Sequence, residues 1–126
     1  MSADAIMKAL AGYFQAIDDG RTADAANFFT DEALILVPNS PPATGRNACR
    51  SLFDALHNPQ NRSMHCMVNN FVEIDGETAG GSFDLFTIHR SSAPPTIAGA
   101  LRCSARYAVE RNEWKIARLD FGAGDR

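Results

Sequence analysis

The sequence predicts an α+β domain, in which helices of the first half pack on one face of an antiparallel sheet formed by the second half. Two observations support this prediction. Apolar residues recur at the spacing of a helical face up to about residue 56, whereas from residue 64 onward they alternate with a period of two. Asp75-Gly76, which favours a tight hairpin turn, separates two of the alternating runs.

Helical spacing identifies the elements of the first half. Apolar residues within Ile6–Ile17 follow one helical face, and Gly20 ends this helix. Thr22 can cap a second, short helix that carries the Phe28–Phe29 pair. The apolar run Ala33–Val37 is stopped by a proline and predicts a short strand.

A third helix and four strands complete the predicted order. The helix follows the segment TGRN, covers Ala48–Leu56 and is closed by Pro59. The alternating runs after it predict a meander of antiparallel strands. These strands are Met64–Ile74, Glu77–His89, Ile97–Glu110 and Trp114–Phe121.

The composition is that of one globular domain. The chain has 126 residues, of which 45% are hydrophobic and 21% charged, and this is long enough to bury one core. The net charge of −3 and the lack of a basic run argue against nucleic acid as a partner. No apolar run could span a bilayer, and the N-terminus lacks the pattern of a signal peptide. Three scattered cysteines favour reduced thiols, so we expect a cytoplasmic protein.

The hairpin around Asp75-Gly76 predicts the wall of a pocket. A two-residue loop there would place Ile74 opposite Glu77 and leave one face of the hairpin mostly apolar. Its other face would mix large apolar side chains, which do not suit water, with polar ones, which do not suit a core. A half-covered sheet surface or a dimer interface is the alternative. The residues of this mixed face would be His65, Met67, Asn69, Phe71, Ser82, Asp84 and Phe86.

The first helix adds two side chains that could reach the same pocket. On a helical wheel, Asp18 lies beside Phe14 at one edge of the apolar arc, and Tyr13 lies at the other edge. A carboxylate near the C-terminal end of a helix is mildly unfavourable, which suggests a compensating role for Asp18.

The order of these elements resembles the nuclear transport factor 2-like superfamily, and its SnoaL-like branch in particular. The resemblance lies in YFQAIDDGRTADAANFFTDEALILVP, in a Gly-Arg pair before the third helix, in SMHCMVNNFVEIDGETA and in EWKIARL. It covers nearly the whole chain and implies a single SnoaL-like domain at residues 1–126. It also implies a cone-shaped, curved, mostly antiparallel sheet wrapped around helices, a small-molecule pocket between them, and a homodimer formed through the convex sheet face.

Two enzyme patterns of this superfamily can be compared with the sequence. Ketosteroid isomerases use a tyrosine on the first helix, which Tyr13 matches, but Val37 and Ala105 occupy the positions of their two acids. Scytalone dehydratase-like enzymes pair a carboxylate near the end of the first helix with a histidine at the start of the second strand. Asp18 and His65 match these positions. The resemblance therefore favours an Asp/His acid–base pair.

This pair implies a cofactor-independent dehydratase, isomerase or cyclase that acts on a small apolar or carbonyl-containing molecule. His65 would transfer protons and Asp18 would orient it. Asp84, which falls close to the second acid–base position of such enzymes, would be a second proton carrier or hold a substrate hydroxyl; without the predicted register, Phe83 would take that position instead. The expected substrate-binding residues are Tyr13, Phe14, Met67, Asn69 and Phe86. The alternatives are a non-catalytic dimeric module for a ligand or a partner protein, and a pure oligomerisation domain.

No metal or cofactor is expected from the sequence. The three histidines, His57, His65 and His89, do not form a ligand set by spacing. We expect His57, at the end of the third helix, to be solvated.

Overall fold

The computed structural model describes residues 2–60, 62–90 and 93–122. Within these ranges there are three helices and six strands. The helices are α1 (Ala3–Asp18), α2 (Thr22–Ala26) and α3 (Arg46–Leu56). The strands are β1 (Phe29–Leu36), β2 (Ala43–Thr44), β3 (Ser63–Asp75), β4 (Thr78–His89), β5 (Thr96–Glu110) and β6 (Glu113–Phe121). None of the described helices is long and apolar enough to cross a membrane.

All six strands belong to one sheet in the order β2-β1-β6-β5-β4-β3. Neighbouring strands are antiparallel, except that β1 runs parallel to β6. The predicted α+β class and the meander of four long strands are therefore confirmed. Because β3 lies at one edge of the sheet, part of its backbone has no neighbouring strand to pair with.

The core lies between the helices and one face of the sheet, called here the inner face. α1 buries one apolar stripe that includes Ile6, Leu10 and Phe14, as its spacing predicted. On the sheet side, Phe83 and Ile116 are almost fully buried. Burial of each such large side chain stabilises the fold by roughly 1.5–3 kcal/mol.

The beginning of the sheet differs from the prediction. α2 ends at Ala26 and β1 starts at Phe29, which pairs with Ile116 of β6 and is fully buried, so the assignment of Phe28 and Phe29 to the second helix was wrong. α2 starts at Thr22 with Arg21 in the cap position, so Thr22 is not the cap. The pairing of β1 with β6 joins distant parts of the chain, and local spacing cannot reveal such a contact. The two-residue strand β2, which pairs with Ile35 of β1, was missed for the same reason.

Arg46, in the Gly-Arg pair before α3, fixes this helix to the sheet. Its guanidinium donates hydrogen bonds to the carbonyl of Phe29 at 2.5 Å and to Glu110 Oε1 at 3.1 Å, and it forms an ion pair with Asp31. These contacts join α3 to β1 and β5. They therefore hold in place the helix that forms one wall of the cavity described below.

The β3–β4 hairpin has a different register from the predicted one. Asp75 pairs with Thr78, so the loop is Gly76-Glu77 rather than Asp75-Gly76, and Ile74 lies opposite Ala79 rather than Glu77. Further along, the register shifts again between Val68 and Phe71, where β3 contains a bulge.

Because of this bulge, the residues of β3 that precede it lie on the opposite face of the sheet from the one predicted relative to β4. Asn69, at the bulge, has a φ of 55°, which is a left-handed conformation that asparagine tolerates. On the far side of it, His65 pairs with Thr87, and Val68 pairs with Asp84. His65 and Asp84 therefore lie on opposite faces of the sheet, and the prediction that they share one face was wrong.

Candidate active site

A cavity of about 320 Å³ lies between the helices and the inner face of the sheet. This volume is at the small end of the range of roughly 300–1,000 Å³ that is typical of small-molecule sites. Every helix and every strand except β2 contributes to the wall. The apolar part of the lining is Phe14, Ile17, Ile35, Val37, Pro38, Leu52, Phe53, Leu56, Leu85, Leu101 and Phe121. The polar part is Tyr13, Asp18, Thr22, His57, Asn58, Arg62, Ser63, His65 and Thr87.

Asp18 and His65 form a two-point contact in this wall. Asp18 Oδ1 lies 2.6 Å from His65 Nδ1, and the backbone N–H of His65 donates to Asp18 Oδ2 at 3.0 Å. The Asp18 side chain is 9% exposed and that of His65 is 20% exposed. Both oxygens of the carboxylate are thus engaged, and the imidazole is fixed relative to the helix end.

The local structure explains why these two residues meet. Asp18 is the last residue of α1, and His65 is the third residue of the edge strand β3. The backbone N–H of His65 therefore has no strand partner, and the carboxylate accepts its hydrogen bond instead. The same contact accounts for a negative side chain at the C-terminal end of a helix.

Two aromatic residues of α1 surround the pair. The ring of Phe14 stacks on the imidazole of His65, with centroids 5.3 Å apart and planes 26° apart. Tyr13 is 4% exposed and packs edge-on against Phe29. Burial raises the pKa of the Tyr13 hydroxyl far above its usual range. Tyr13 therefore stays protonated, and it belongs to the residues that line the cavity.

The structure brings together four of the residues predicted for the site and separates the other four. Tyr13, Phe14, Asp18 and His65 line the cavity. Met67 lies on the inner face and packs against the core, beyond the cavity lining. The three remaining residues belong to the opposite face of the sheet, called here the outer face. They are Asn69, Asp84 and Phe86.

Asp84 takes part in an outer-face cluster instead of the cavity. It accepts hydrogen bonds from Asn69 Nδ2 at 2.8 Å and from Arg102, whose Nη2 lies 3.3 Å away. The hydrogen bonds from Arg102 and Asn69 lower the pKa of the Asp84 carboxyl. Asp84 is therefore ionised at neutral pH and has an acceptor role, which does not suit a proton donor.

Sequence reasoning missed three polar residues at the mouth of the cavity: His57, Asn58 and Arg62. They lie in the segment between α3 and β3, where the sequence shows no periodicity from which a direction could be inferred. His57 is exposed, as expected, but it also lines the cavity, which was not expected. Among the residues that the structure describes, no group of three histidine, cysteine or acidic side chains could hold a metal ion.

A mostly antiparallel sheet closed over a long helix, with a small cavity between them, is the arrangement of the nuclear transport factor 2-like fold. Within this fold class, the chain can be assigned to one family. The family model of the SnoaL-like domain matches residues 2–120, so the chain belongs to the SnoaL-like domain family.

Solved structures agree with this fold. A protein of unknown function from Mycobacterium tuberculosis is 24% identical and has a TM-score of 0.84, with 93% of this chain and 68% of that chain covered. A nuclear transport factor 2-like protein with a cystatin-like fold from Novosphingobium aromaticivorans is 18% identical, with a TM-score of 0.84 and 94% and 79% covered. A protein from Catenulispora acidiphila in complex with S-DNPA is 15% identical, with a TM-score of 0.83 and 94% and 91% covered. No curated protein matches this chain.

Proposed function

We propose that the protein is a cofactor-independent acid–base enzyme that removes a proton next to a carbonyl group. Loss of water, migration of a double bond or ring closure would follow, as in a dehydratase, isomerase or cyclase. The observation that supports this proposal is the two-point contact between Asp18 and His65 in the wall of an apolar cavity.

In this mechanism His65 is the base. Asp18 accepts the Nδ1–H of the imidazole, which leaves the lone pair on Nε2 available for a proton. When Nε2 takes a proton from the carbon next to the carbonyl, the C–H bond breaks and an N–H bond forms. The nearby carboxylate stabilises the imidazolium that results. The imidazolium then returns the proton, either to a departing hydroxyl, which leaves as water, or to another carbon.

Tyr13 would stabilise the negative charge that develops on the carbonyl oxygen. Its burial keeps the hydroxyl protonated, so it can donate a hydrogen bond to an enolate. Asp84 has no part in this proposal, since it lies on the outer face and is ionised. One imidazole that first accepts and then donates the proton replaces the two-carrier scheme that the sequence suggested.

The substrate would be a small, mostly apolar carbonyl compound. The cavity lining is dominated by aliphatic and aromatic side chains, and its volume suits a molecule of one or two rings. The complex of the Catenulispora acidiphila neighbour with S-DNPA supports an organic ligand for this fold.

The test is hydrogen–deuterium exchange at the activated position of small aromatic ketones, followed by NMR in D₂O. The wild type should catalyse exchange, and His65→Ala should lose it, whereas His89→Ala, which removes a histidine outside the cavity lining, should retain it. Binding of a ketone without exchange would instead support a non-catalytic ligand-binding module. A pure oligomerisation domain predicts that no ketone raises the melting temperature.

We also propose that the chain forms a homodimer through the outer face of the sheet. This face exposes the apolar side chains of Met64, Val68 and Phe71, which are 36%, 39% and 56% exposed. A row of exposed apolar residues of this kind is typical of an interface. Sedimentation should show a dimer for the wild type and a monomer for Phe71→Glu, whereas Leu56→Glu, on α3, should remain dimeric. Cys49, Cys66 and Cys103 are in the reduced form, which supports a cytoplasmic location.

A further inference from the structure

We propose that Asn69, which touches neither the cavity nor His65, is a positioning residue for His65. Its left-handed backbone and its hydrogen bond to Asp84 hold the bulge of β3, and this bulge turns the imidazole into the cavity. The consequence for catalysis rests on the proposed function. The orientation of the imidazole does not, because it can be measured without turnover.

The first argument is the pairing of β3 with β4 on the two sides of the bulge. Between its paired positions there, β3 has the two residues Asn69-Asn70, whereas β4 has only Phe83. If the register of the hairpin turn continued without the extra residue, His65 would lie opposite Ile88, whose side chain belongs to the outer face. Instead His65 pairs with Thr87, which lines the cavity. The bulge therefore decides which face of the sheet carries the imidazole.

The second argument is that hydrophobic burial does not favour this register. The bulge leaves Met64, Cys66 and Val68 on the outer face, where Met64 is 36% and Val68 is 39% exposed. A slip of one residue would turn these three side chains inward and His65 outward. Because β3 is an edge strand, its register among the described strands is set by β4 on one side only. Burial alone therefore does not determine the face of His65.

The third argument concerns the contacts that hold the bulge. Asn69 has a φ of 55°, a conformation that asparagine and glycine adopt far more readily than a β-branched residue does. Its Nδ2 donates to Asp84 Oδ2 at 2.8 Å, and Arg102 donates to both oxygens of the same carboxylate. Hydrogen bonds to an ionised group are roughly twice as strong as neutral ones. These contacts connect the bulge through β4 to β5.

The fourth argument is the position of the bulge beside the aromatic residues that contact His65. Phe83, which lies opposite the bulge, is 1% exposed, and its ring centroid is 6.0 Å from that of Phe14 in an edge-on arrangement. Phe14 stacks in turn on the imidazole of His65. The bulge and the imidazole are thus linked by two ring contacts as well as by the strand itself.

The experiment compares Asn69→Val with the control Asn70→Val, which makes the same change at the neighbouring position, where φ is not positive. ¹⁵N NMR of the neutral His65 ring reports the tautomer, and deuterium exchange of an aromatic ketone reports the rate. The wild type and Asn70→Val should carry the proton on Nδ1. Asn69→Val should lose this preference and lower the rate at least about tenfold, because valine disfavours a positive φ and cannot bond to Asp84.

Three further variants separate the orientation of His65 from the stability of the fold. Asn69→Gly keeps the positive φ but loses the bond to Asp84, so it should lower the rate less than Asn69→Val does. Deletion of Asn69 removes the extra residue and leaves the pairing on both sides unchanged, so His65 should keep the proton on Nδ1. Asp84→Asn should also keep it, because the amide oxygen still accepts a hydrogen bond from Asn69.

A wild-type tautomer in folded Asn69→Val, or the same loss of preference in Asn70→Val, would overturn the positioning role. If Asn69→Val did not fold, the deletion would decide: a proton on Nδ1 supports the role, and its loss overturns it. A tautomer that depends on Asn69 without any exchange in the wild type would leave the role standing and reject the enzyme. Exchange that Asn69→Val retains in full would do the reverse.

Discussion

Two carboxylates of this protein, Asp18 and Asp84, each hold a side chain of β3, but on opposite faces of the sheet. Asp18 binds His65 at the cavity, and Asp84 binds Asn69 and Arg102 on the outer face. Arginine is a permanent cation, so its partner stays ionised and the pair has only one protonation state near neutral pH. Histidine can gain and lose a proton, so its partner can support chemistry. The two carboxylates therefore differ in position and in partner: Asp18 lies at the cavity beside a group that can change its protonation state, and Asp84 lies on the outer face beside one that cannot.

The largest expected difference between the two carboxylates is in how much the replacement of each one lowers the rate of hydrogen–deuterium exchange. Asp18→Asn should lower the rate of exchange at least about 100-fold, because the amide no longer holds the imidazole in the reactive tautomer. Asp84→Asn should change the rate less than about twofold, since its side chain is on the outer face. Asp19→Asn, next to Asp18 but paired with Arg21, is the control for charge at the helix end. A large loss of rate in Asp84→Asn would contradict this account.

The second prediction concerns the close approach of β3 and β4 beside the bulge of β3. A Cβ at Gly81 would lie 1.8 Å from the carbonyl oxygen of Phe71, whereas a Cβ at Gly80 meets nothing closer than 3.5 Å. Gly81→Ala should therefore destabilise the fold by about 1–3 kcal/mol or more, as overpacking does. Gly80→Ala should have a much smaller effect. Urea unfolding of both variants measures the difference, and equal stabilities would show that the strands do not approach each other this closely.

The smallest expected effect is the change in the free energy of unfolding when Asp84, on the outer face, is replaced. The pKa of Asp84 is lowered in the folded protein by Arg102 and Asn69, so its ionised form contributes stability at pH values above the ordinary pKa of an aspartate. This contribution is lost as the pH falls through the lowered pKa. Asp84→Asn should therefore cost a little stability at pH 7 and nothing in strong acid. Salt should weaken the effect, because the Arg102 side chain is half exposed.

Sequence analysis predicted that Asp18 and His65 lie together, but it placed Asp84 on the wrong face of the sheet. Local patterns singled out Asp18 on one edge of a helical face and His65 near the start of a strand, and the resemblance to scytalone dehydratase-like enzymes implied that the two form a pair. Asp84 could not be placed, because a bulge of one residue moves every later side chain to the other face. Two local signals mark the bulge: the Asn69-Asn70 pair, since asparagine tolerates a positive φ, and the Gly80-Gly81 pair on the facing strand, where Gly81 lies against the backbone of Phe71.

The mouth of the cavity shows a second limit of sequence reasoning. His57 and Arg62 come from a segment with no periodic pattern, and their positions depend on contacts with distant residues. The ring of His57 lies over Gly20, and the backbone of Arg62 is bonded to that of Arg90. In the sequence, Gly20 could be recognised as the end of a helix, but nothing linked it to a histidine 37 positions later.

The most direct test of the central claim is ¹⁵N NMR of the His65 ring, which reports which nitrogen carries the proton. In the wild type at a pH where the ring is neutral, the proton should be on Nδ1, because Asp18 accepts it. In Asp18→Asn this preference should shift toward Nε2, the form that is more common in free imidazoles, while Asp19→Asn should match the wild type. The same tautomer in the wild type and in Asp18→Asn would contradict the claim that Asp18 prepares His65 for proton transfer.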